Sequence, residues 1–281
     1  MARREIQAAE ITQTVKRLCI EANTHLGSDV IEAIEKSCAE EKSPVGRDIL
    51  RQLLENAAIA KKEDLPLCQD TGMVVVFVEI GQEVHIAGGD LNEAINSGVR
   101  QAYKEAYLRA STLDPLTRQN YGDNTPAVIH MTLVPGTKLK LTVVPKGFGS
   151  ENMSRVVLFP PSAGMDGIKE FIIQLVEEAG PNPCPPIVVG VGIGGTLEKA
   201  ALIAKRSLLR PIGGRHPDPA IAGLELELLE EINKLGIGRQ GLGGTTTAFD
   251  VHVETYPTHI GSLPVAVNFQ CHCARHKEAI L

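Results

Sequence analysis

The 281-residue chain has no apolar run approaching the roughly 20 residues that a membrane-spanning helix needs. Its opening, MARREIQAAE, lacks the apolar stretch of a signal peptide. A basic excess is missing as well: 28 lysines and arginines against 34 aspartates and glutamates leave a formal charge of −6. Proteins that hold nucleic acid usually show a basic patch or stripe. Neither a nucleic acid nor a membrane is therefore expected as a partner, and the protein is read as soluble and cytoplasmic. Six cysteines are too sparse in a chain this long for a disulfide scaffold. No C-x-x-C pair occurs, which argues against a zinc finger or ribbon. Internal repeats and long linkers are absent. The hydrophobic fraction, 43%, is too high for a disordered chain and sufficient for a buried core.

What is present begins as helix. Ile11, Val15, Leu18 and Cys19 recur at helical spacing, as do Val30, Ile31, Ile34 and Cys38, and then Ile49, Leu50, Leu53, Leu54 and Ala57. Cys19 and Cys38 lie on these apolar faces and read as core thiols. At Leu65 the character changes. The turn-rich LPLCQDTG leads into the β-branched strand MVVVFVEIG. Asp90 and Glu93 form a capping-box pattern that opens a helix to about Arg109. AVIHMTLV and KLKLTVV flank Pro135-Gly136-Thr137, which predicts a hairpin. After the glycine-rich KGFGSENMS, Ile168, Phe171, Ile172, Leu175 and Val176 mark a helix that ends at Gly180. PNPCPP cannot be regular structure, since its prolines remove donors and fix φ. It leads to the strand IVVGV and a helix in TLEKAALIAKRSLLR. Another helix starts at Asp218-Pro219 and runs to about Leu235, and AFDVHVE and PVAVNFQ are strands before the CHCARH tail. The expected fold is α/β of the mixed α+β kind. An N-terminal helical layer over 1–64 precedes a mixed-sheet α/β body over 65–281, as one continuous domain.

Three cysteines share a local setting. Cys68 and Cys184 each precede a strand and Cys271 follows one, all beside turn residues. Three thiolates on one metal centre would leave a coordination position open. An iron–sulfur cluster held this way could bind substrate at one iron and polarise an oxygen as a Lewis acid. Spacing alone leaves other readings open: three unrelated thiols, or a nucleophilic Cys68 acidified by its surrounding backbone. Cys273 competes with Cys271 as a ligand, and Cys271 is preferred because it ends the strand directly.

Seven motifs in order carry a more specific signal: LPLCQDTG at 65–72, GDNTPA at 122–127, KGFGSENMS at 146–154, PCPP at 183–186, GIGGT at 192–196, GLGGTTTA at 241–248 and THIGSLPVAVNFQC at 258–271. Together they resemble the α subunit of class I, iron–sulfur-dependent fumarate hydratases and the related L-tartrate dehydratases. The resemblance implies a [4Fe–4S] cluster on Cys68, Cys184 and Cys271, whose open iron acts as Lewis acid in the reversible hydration of fumarate to L-malate, a tricarboxylic acid cycle step. It implies Gln69, Asp70, Arg109, Gly149 and His259 as substrate-binding residues, with Asp70 and His259 catalytic. The tail departs from the family, where C-W-A-x-R-R is common and this chain reads Cys271-His272-Cys273-Ala274-Arg275-His276.

The residues taken alone leave plainer readings. Asp70 before Gly72 could make an Asx turn. Arg109 could complement a helix C-terminus. Gly147 and Gly149 could belong to a simple loop, and a lone His259 could be structural. Gly190-Val191-Gly192-Ile193-Gly194-Gly195 satisfies the dinucleotide fingerprint formally, but the acidic ribose partner about 20 residues on is missing. Gly243-Gly244-Thr245-Thr246-Thr247 lacks the lysine of a phosphate loop and reads as structural. Lys146 and the run Lys205–Arg210 are expected to be solvated or at an interface.

The chain stops ten residues after Cys271, where single-chain relatives continue into a second domain with further cations and the base. A separate β subunit is therefore expected, in an α2β2 heterotetramer that binds a small dicarboxylate. Competing functions are an L-tartrate dehydratase α subunit, a non-catalytic iron–sulfur sensing module and a nicotinamide oxidoreductase.

Overall fold

A computed structural model describes residues 4–281. In chain order its elements are β1 (Arg4–Gln7), α1 (Ala8–Thr24), α2 (Ser28–Glu40), α3 (Pro44–Glu63), β2 (Met73–Gly81), β3 (Val84–Ala87), α4 (Leu91–Glu105), β4 (Val128–Val134), β5 (Leu139–Lys146), α5 (Phe148–Glu151), β6 (Arg155–Phe159), α6 (Gly164–Ala179), β7 (Ile187–Gly194), α7 (Leu197–Ser207), α8 (Pro219–Lys234), β8 (Ala248–Tyr256), β9 (Leu263–Gln270) and β10 (Lys277–Ile280). This is the mixed α/β class that the sequence predicts. The chain divides into two compact units, one of Met1–Gly27, Asn56–Phe148 and Arg275–Leu281, the other of Ser28–Glu55 and Gly149–Ala274. The boundary between the units falls within α3, with α1 in the first unit and α2 in the second. Residues 1–3 of the predicted N-terminal layer lie outside the described residues.

In the first unit the sheet order is β10-β5-β2-β4. Val74, Val76 and Val78 of β2 share a face with Leu139, Leu141 and Val143 of β5. Ile11, Val15, Leu18 and Cys19 of α1 and Ile95, Val99 and Ala102 of α4 close the same core. Gly98 lets α1 and α4 touch, since a Cβ there would sit 2.6 Å from Thr12 O. Asp90 caps α4 as predicted, accepting the Glu93 N–H at 2.9 Å.

The predicted hairpin is not formed. β4 runs parallel to β2 and β5 runs antiparallel to it, so β2 lies between them. The β-branched run of β2 is buried from Val74 to Val78, and its position inside the sheet gives it neighbours on both edges. Pro135-Gly136-Thr137 crosses the end of β2, where Gly81 N–H donates to Lys138 O (2.8 Å) and Gln82 N–H to Val134 O (2.9 Å).

In the second unit the order is β6-β9-β7-β8. Ile168, Ile172 and Leu175 of α6 and Leu228 and Ile232 of α8 cover one face, against Val189, Val191, Val251 and Val253. On the other face α7 sets Ala200 and Ala204 against Ala266. β7 and β8 are parallel and β9 is antiparallel to β7. The β8–β9 connection therefore passes over the C-terminal end of β7.

Candidate active site

In the first unit the site begins with the turn at 65–72. Leu67 fixes its start, donating its N–H to Asn23 O (2.8 Å) and accepting from Asn56 Nδ2 (2.9 Å). The Cys68 sulfur accepts the Asp70 N–H at 3.4 Å and lies 3.4 Å from Gln69 Oε1. Asp70 Oδ1 accepts the Gly72 N–H (3.0 Å), so the Asx turn exists. Its other oxygen accepts the Phe148 N–H (2.7 Å), which ties the KGFG loop to the cysteine turn. Gly72 has φ +76°, and a Cβ there would fall 2.7 Å from Lys146 N. Lys146, expected at the surface, is 2% exposed, with Nζ donating to Gly147 O at 3.2 Å.

Arg109 joins the same assembly. α4 stops at Glu105 rather than at Arg109, and Tyr107 turns the chain with φ +52°. Arg109 therefore does not cap the helix. Its carbonyl accepts Thr71 Oγ1 (2.9 Å), while its side chain is exposed. The signal missed in the sequence is Asn124, inside GDNTPA, which is fully buried. Asn124 Oδ1 accepts the N–H groups of Ser111 (2.8 Å) and Thr112 (3.2 Å), and its Nδ2 donates to Gly72 O (3.1 Å). The Tyr103 hydroxyl donates to Thr71 O (2.6 Å), and burial holds this phenol well above its ordinary pKa. One buried amide and two hydroxyls thus bolt the Arg109 segment to the Cys68 turn.

In the second unit Cys184 occupies a left-handed backbone position, φ +56°. Its N–H donates to Pro181 O (3.0 Å), and the His272 N–H donates to Cys184 O (3.4 Å). Gln240 N–H and Nε2 both donate to Pro185 O, at 2.8 and 3.0 Å. Gln240 Nε2 is also 3.2 Å from His272 Nδ1. Cys271 follows β9 directly, at the end of the sheet where β7 begins, so the Cys184 and Cys271 loops are adjacent. Gly149 is exposed, and a Cβ on it would lie 3.4 Å from Asn182 O in the Cys184 loop. His259 is not brought to these residues. It sits exposed in the β8–β9 connection, at the opposite end of β7, with Nδ1 accepting the Gly261 N–H (3.1 Å).

The remaining motifs serve packing. A Cβ on Gly190 would sit 2.6 Å from Ser207 Oγ, and one on Gly192 2.8 Å from Ala204 N. That spacing therefore seats α7 on β7. In the GGTTT stretch, Thr245 N–H and Oγ1 bond Glu41 Oε2 (3.3 and 3.0 Å), and the buried Arg239 pairs with Glu41. The basic run at 205–210 is engaged within the unit: Lys205 pairs with Glu151, and Arg210 with Glu225 and Glu254.

The donor chemistry suits an iron–sulfur cluster. Soft sulfurs stand on loops, and the Cys68 sulfur receives a backbone N–H of the kind that supports a thiolate ligand. Among the described residues, no three His, Cys, Asp or Glu side chains already form a group that could close on a metal ion. Among the described residues, too, no helix is long and apolar enough to cross a membrane.

Residues 12–280 match the model for fumarate hydratase (Fumerase), and the chain belongs to this family. It is 43% identical over 268 residues to a protein of Methanocaldococcus jannaschii provisionally named L(+)-tartrate dehydratase subunit alpha, covering 93% of this chain and 94% of that one. It is 33% identical over 266 residues to the L(+)-tartrate dehydratase subunit alpha of Escherichia coli strain UTI89, covering 93% and 88%.

Proposed function

We propose that this chain is the α subunit of an iron–sulfur hydro-lyase that hydrates fumarate reversibly to L-malate, with a [4Fe–4S] cluster on Cys68, Cys184 and Cys271. The observation that carries the reading is the bonding of the Arg109 segment to the Cys68-Gln69-Asp70 turn through Thr71 and Asn124. A potential ligand, an acid–base group and a carboxylate clamp then share one rigid frame.

When bound, the cluster supplies an open iron that polarises the hydroxyl of the substrate. Arg109 holds one carboxylate with its planar guanidinium fork. The loop at Gly149 offers backbone N–H groups to the second carboxylate as charge builds on it. Asp70, aimed by the N–H groups of Gly72 and Phe148, moves the proton, and Gln69 orients the hydroxyl. His259 enters this reading only through the family resemblance.

A second reading, an L-tartrate dehydratase α subunit, is favoured by the names of the relatives. Those names also support a partner β subunit; that it completes the site, in an α2β2 assembly, follows from the family resemblance alone. The test is anaerobic reconstitution of the αβ complex with iron and sulfide, followed by turnover of fumarate and of L-tartrate. Faster hydration of fumarate is expected; preferential turnover of tartrate selects the second reading. Full turnover by the α chain alone would refute the split site. Cys68→Ser, Cys184→Ser and Cys271→Ser should each abolish turnover, while Cys273→Ser should retain it. A cluster that forms but whose iron ignores malate and tartrate would make the chain a sensing module.

A further inference from the structure

β4 leaves one edge of the first unit's sheet open. The order β10-β5-β2-β4 puts β2 on one side of it and no strand on the other. The Gln82 N–H donates to Val134 O, so that carbonyl faces β2. Backbone groups alternate in direction along a parallel strand, and those of Ile129, Met131 and Leu133 therefore point away from β2. Among the described residues no other segment's backbone hydrogen-bonds to them.

Natural edges of this kind are blunted by charge, proline or shortness. The opposite edge, β10, is blunted: it has 4 residues, Lys277 and Glu278 among them, and Glu278 pairs with Lys140 (2.7 Å). β4 is 7 residues long, VIHMTLV, with no lysine, arginine, aspartate, glutamate or proline. Its Met131 and Leu133 are 56% and 64% exposed. They stand on the face that carries the α1–α4 core, because Met131 is level with Val78 and Leu133 with Ile80. An apolar, uncharged strand edge in this state is a template for another strand.

The chemistry of the strand names the occupant. Turned about a two-fold axis through Met131, β4 meets a second β4 antiparallel. Ile129 then faces the partner's Leu133 and Met131 faces its own copy, with about six ladder hydrogen bonds between the outward groups of the two strands. On the other face His130, stacked on Phe77 at 5.2 Å, falls opposite the partner's Thr132. Level with that threonine in β2 stands the partner's Glu79. Each imidazole thus meets a hydroxyl with a carboxylate behind it, and no like charges are set opposite one another. The contact uses the same surface on both chains, and the charged β10 edges end the sheet, so the assembly closes at two.

We propose that β4 is a two-fold docking edge at which two copies of this chain join their four-stranded sheets into one continuous sheet. The inference goes beyond the proposed activity and does not rest on the cluster.

The experiment is sedimentation equilibrium of the full chain and of the αβ complex. The wild-type chain is expected at twice the 30.2 kDa of one copy. Met131→Lys and Leu133→Lys place charge on the edge at side chains already in solvent. Each should bring the mass down to that of one chain with an unchanged far-UV circular dichroism spectrum, and should halve the mass of the αβ complex. A wild-type chain that sediments as a monomer overturns the proposal, and so does a lysine variant that keeps the pair, alone or in the complex. Should the lysine variants not fold, cysteine variants oxidised beside the wild type decide. Met131→Cys sets two thiols on the axis, with Cα atoms about 5.5 Å apart, and should link two chains beyond any linkage in the wild type. Val128→Cys, whose counterpart across the axis is Val134, should add none. Failure of Met131→Cys to link, or equal linkage by Val128→Cys, refutes the two-fold register. If added β subunit splits the pair and shields the thiol of Met131→Cys from alkylation, the edge belongs to that subunit and the proposal falls.

Discussion

The two units hold their cysteines by different means. Cys68 stands in a turn fixed by side chains: Asn124, Tyr103 and Arg275 reach its backbone from elsewhere in the unit, Asp70 closes it from within, and Thr71 ties it to Arg109 O. Cys184 stands in a turn fixed mainly by its own backbone, with flanking prolines, a left-handed φ and carbonyls that take bonds from Gln240 and His272. The first kind of loop can be loosened by one distant substitution. The second is stiff before it is supported, because proline has already removed its freedom.

Substitutions can break or sharpen this contrast. The largest effect is expected from the second unit's interior, not from its cysteine loop. Glu41→Ala leaves Arg239 buried and unpaired and should cost about 3–5 kcal/mol, read as a lowered denaturation midpoint. Asn124→Ala should cost about 2–3 kcal/mol, since buried backbone donors of Ser111 and Thr112 lose their acceptor. It should also lower kcat/KM by releasing Arg109, whereas Asn124→Asp should keep the acceptor and part of the activity. In the stiffer loop, Gln240→Ala should cost only about 1 kcal/mol and leave the iron content of the folded complex unchanged. If Gln240→Ala proves as damaging as Asn124→Ala, the contrast fails.

The smallest effect lies in the pH dependence. Burial would raise the Asp250 carboxyl, but hydrogen bonds from His252 and Arg215, the His252 charge and the Gly213 N–H outweigh it and hold it below the usual carboxylate range. A group depressed on folding contributes its stabilisation in full above its unfolded value of about 3.9, and loses it as the pH falls through the folded value. Asp250→Asn should therefore lower Tm at pH 7 and flatten the loss of Tm on the acid side.

Elements whose signals are local were legible in the sequence. The helices of α1, α2, α3, α6 and α8, the Asp90 and Asp218 caps and the strands β2, β7, β8 and β9 stand where periodicity and capping put them. Pairing was not legible, because it is decided by competition among strands. β2 outbids β4 as the neighbour of β5, and β7 lies between β8 and β9. The short strands β1, β3, β6 and β10 have too few residues for a period to show. At the candidate site, Cys68, Asp70 and Arg109 could be picked out from the motifs, and so could the thiols of the second unit. Asn124, Gln240 and Arg275 could not, since their work is done through partners 12 to 205 positions away in the chain for which no spacing rule exists. Lys146 was misjudged because a lysine is normally at the surface.

The bare flank of β7 has a reach beyond its own strand. With only hydrogens at Gly190 and Gly192, the carbonyls of α7 sink into a furrow that a single methyl group would fill. Raising the helix would also move Lys205, whose ammonium grips Glu151 in the short α5 turn, and Glu151 in turn receives Asn268 Nδ2 at 3.0 Å. Gly149 is two residues from that carboxylate. The height at which a helix rides over a strand is thereby passed along, like the setting of a lever, to the loop expected to greet the substrate.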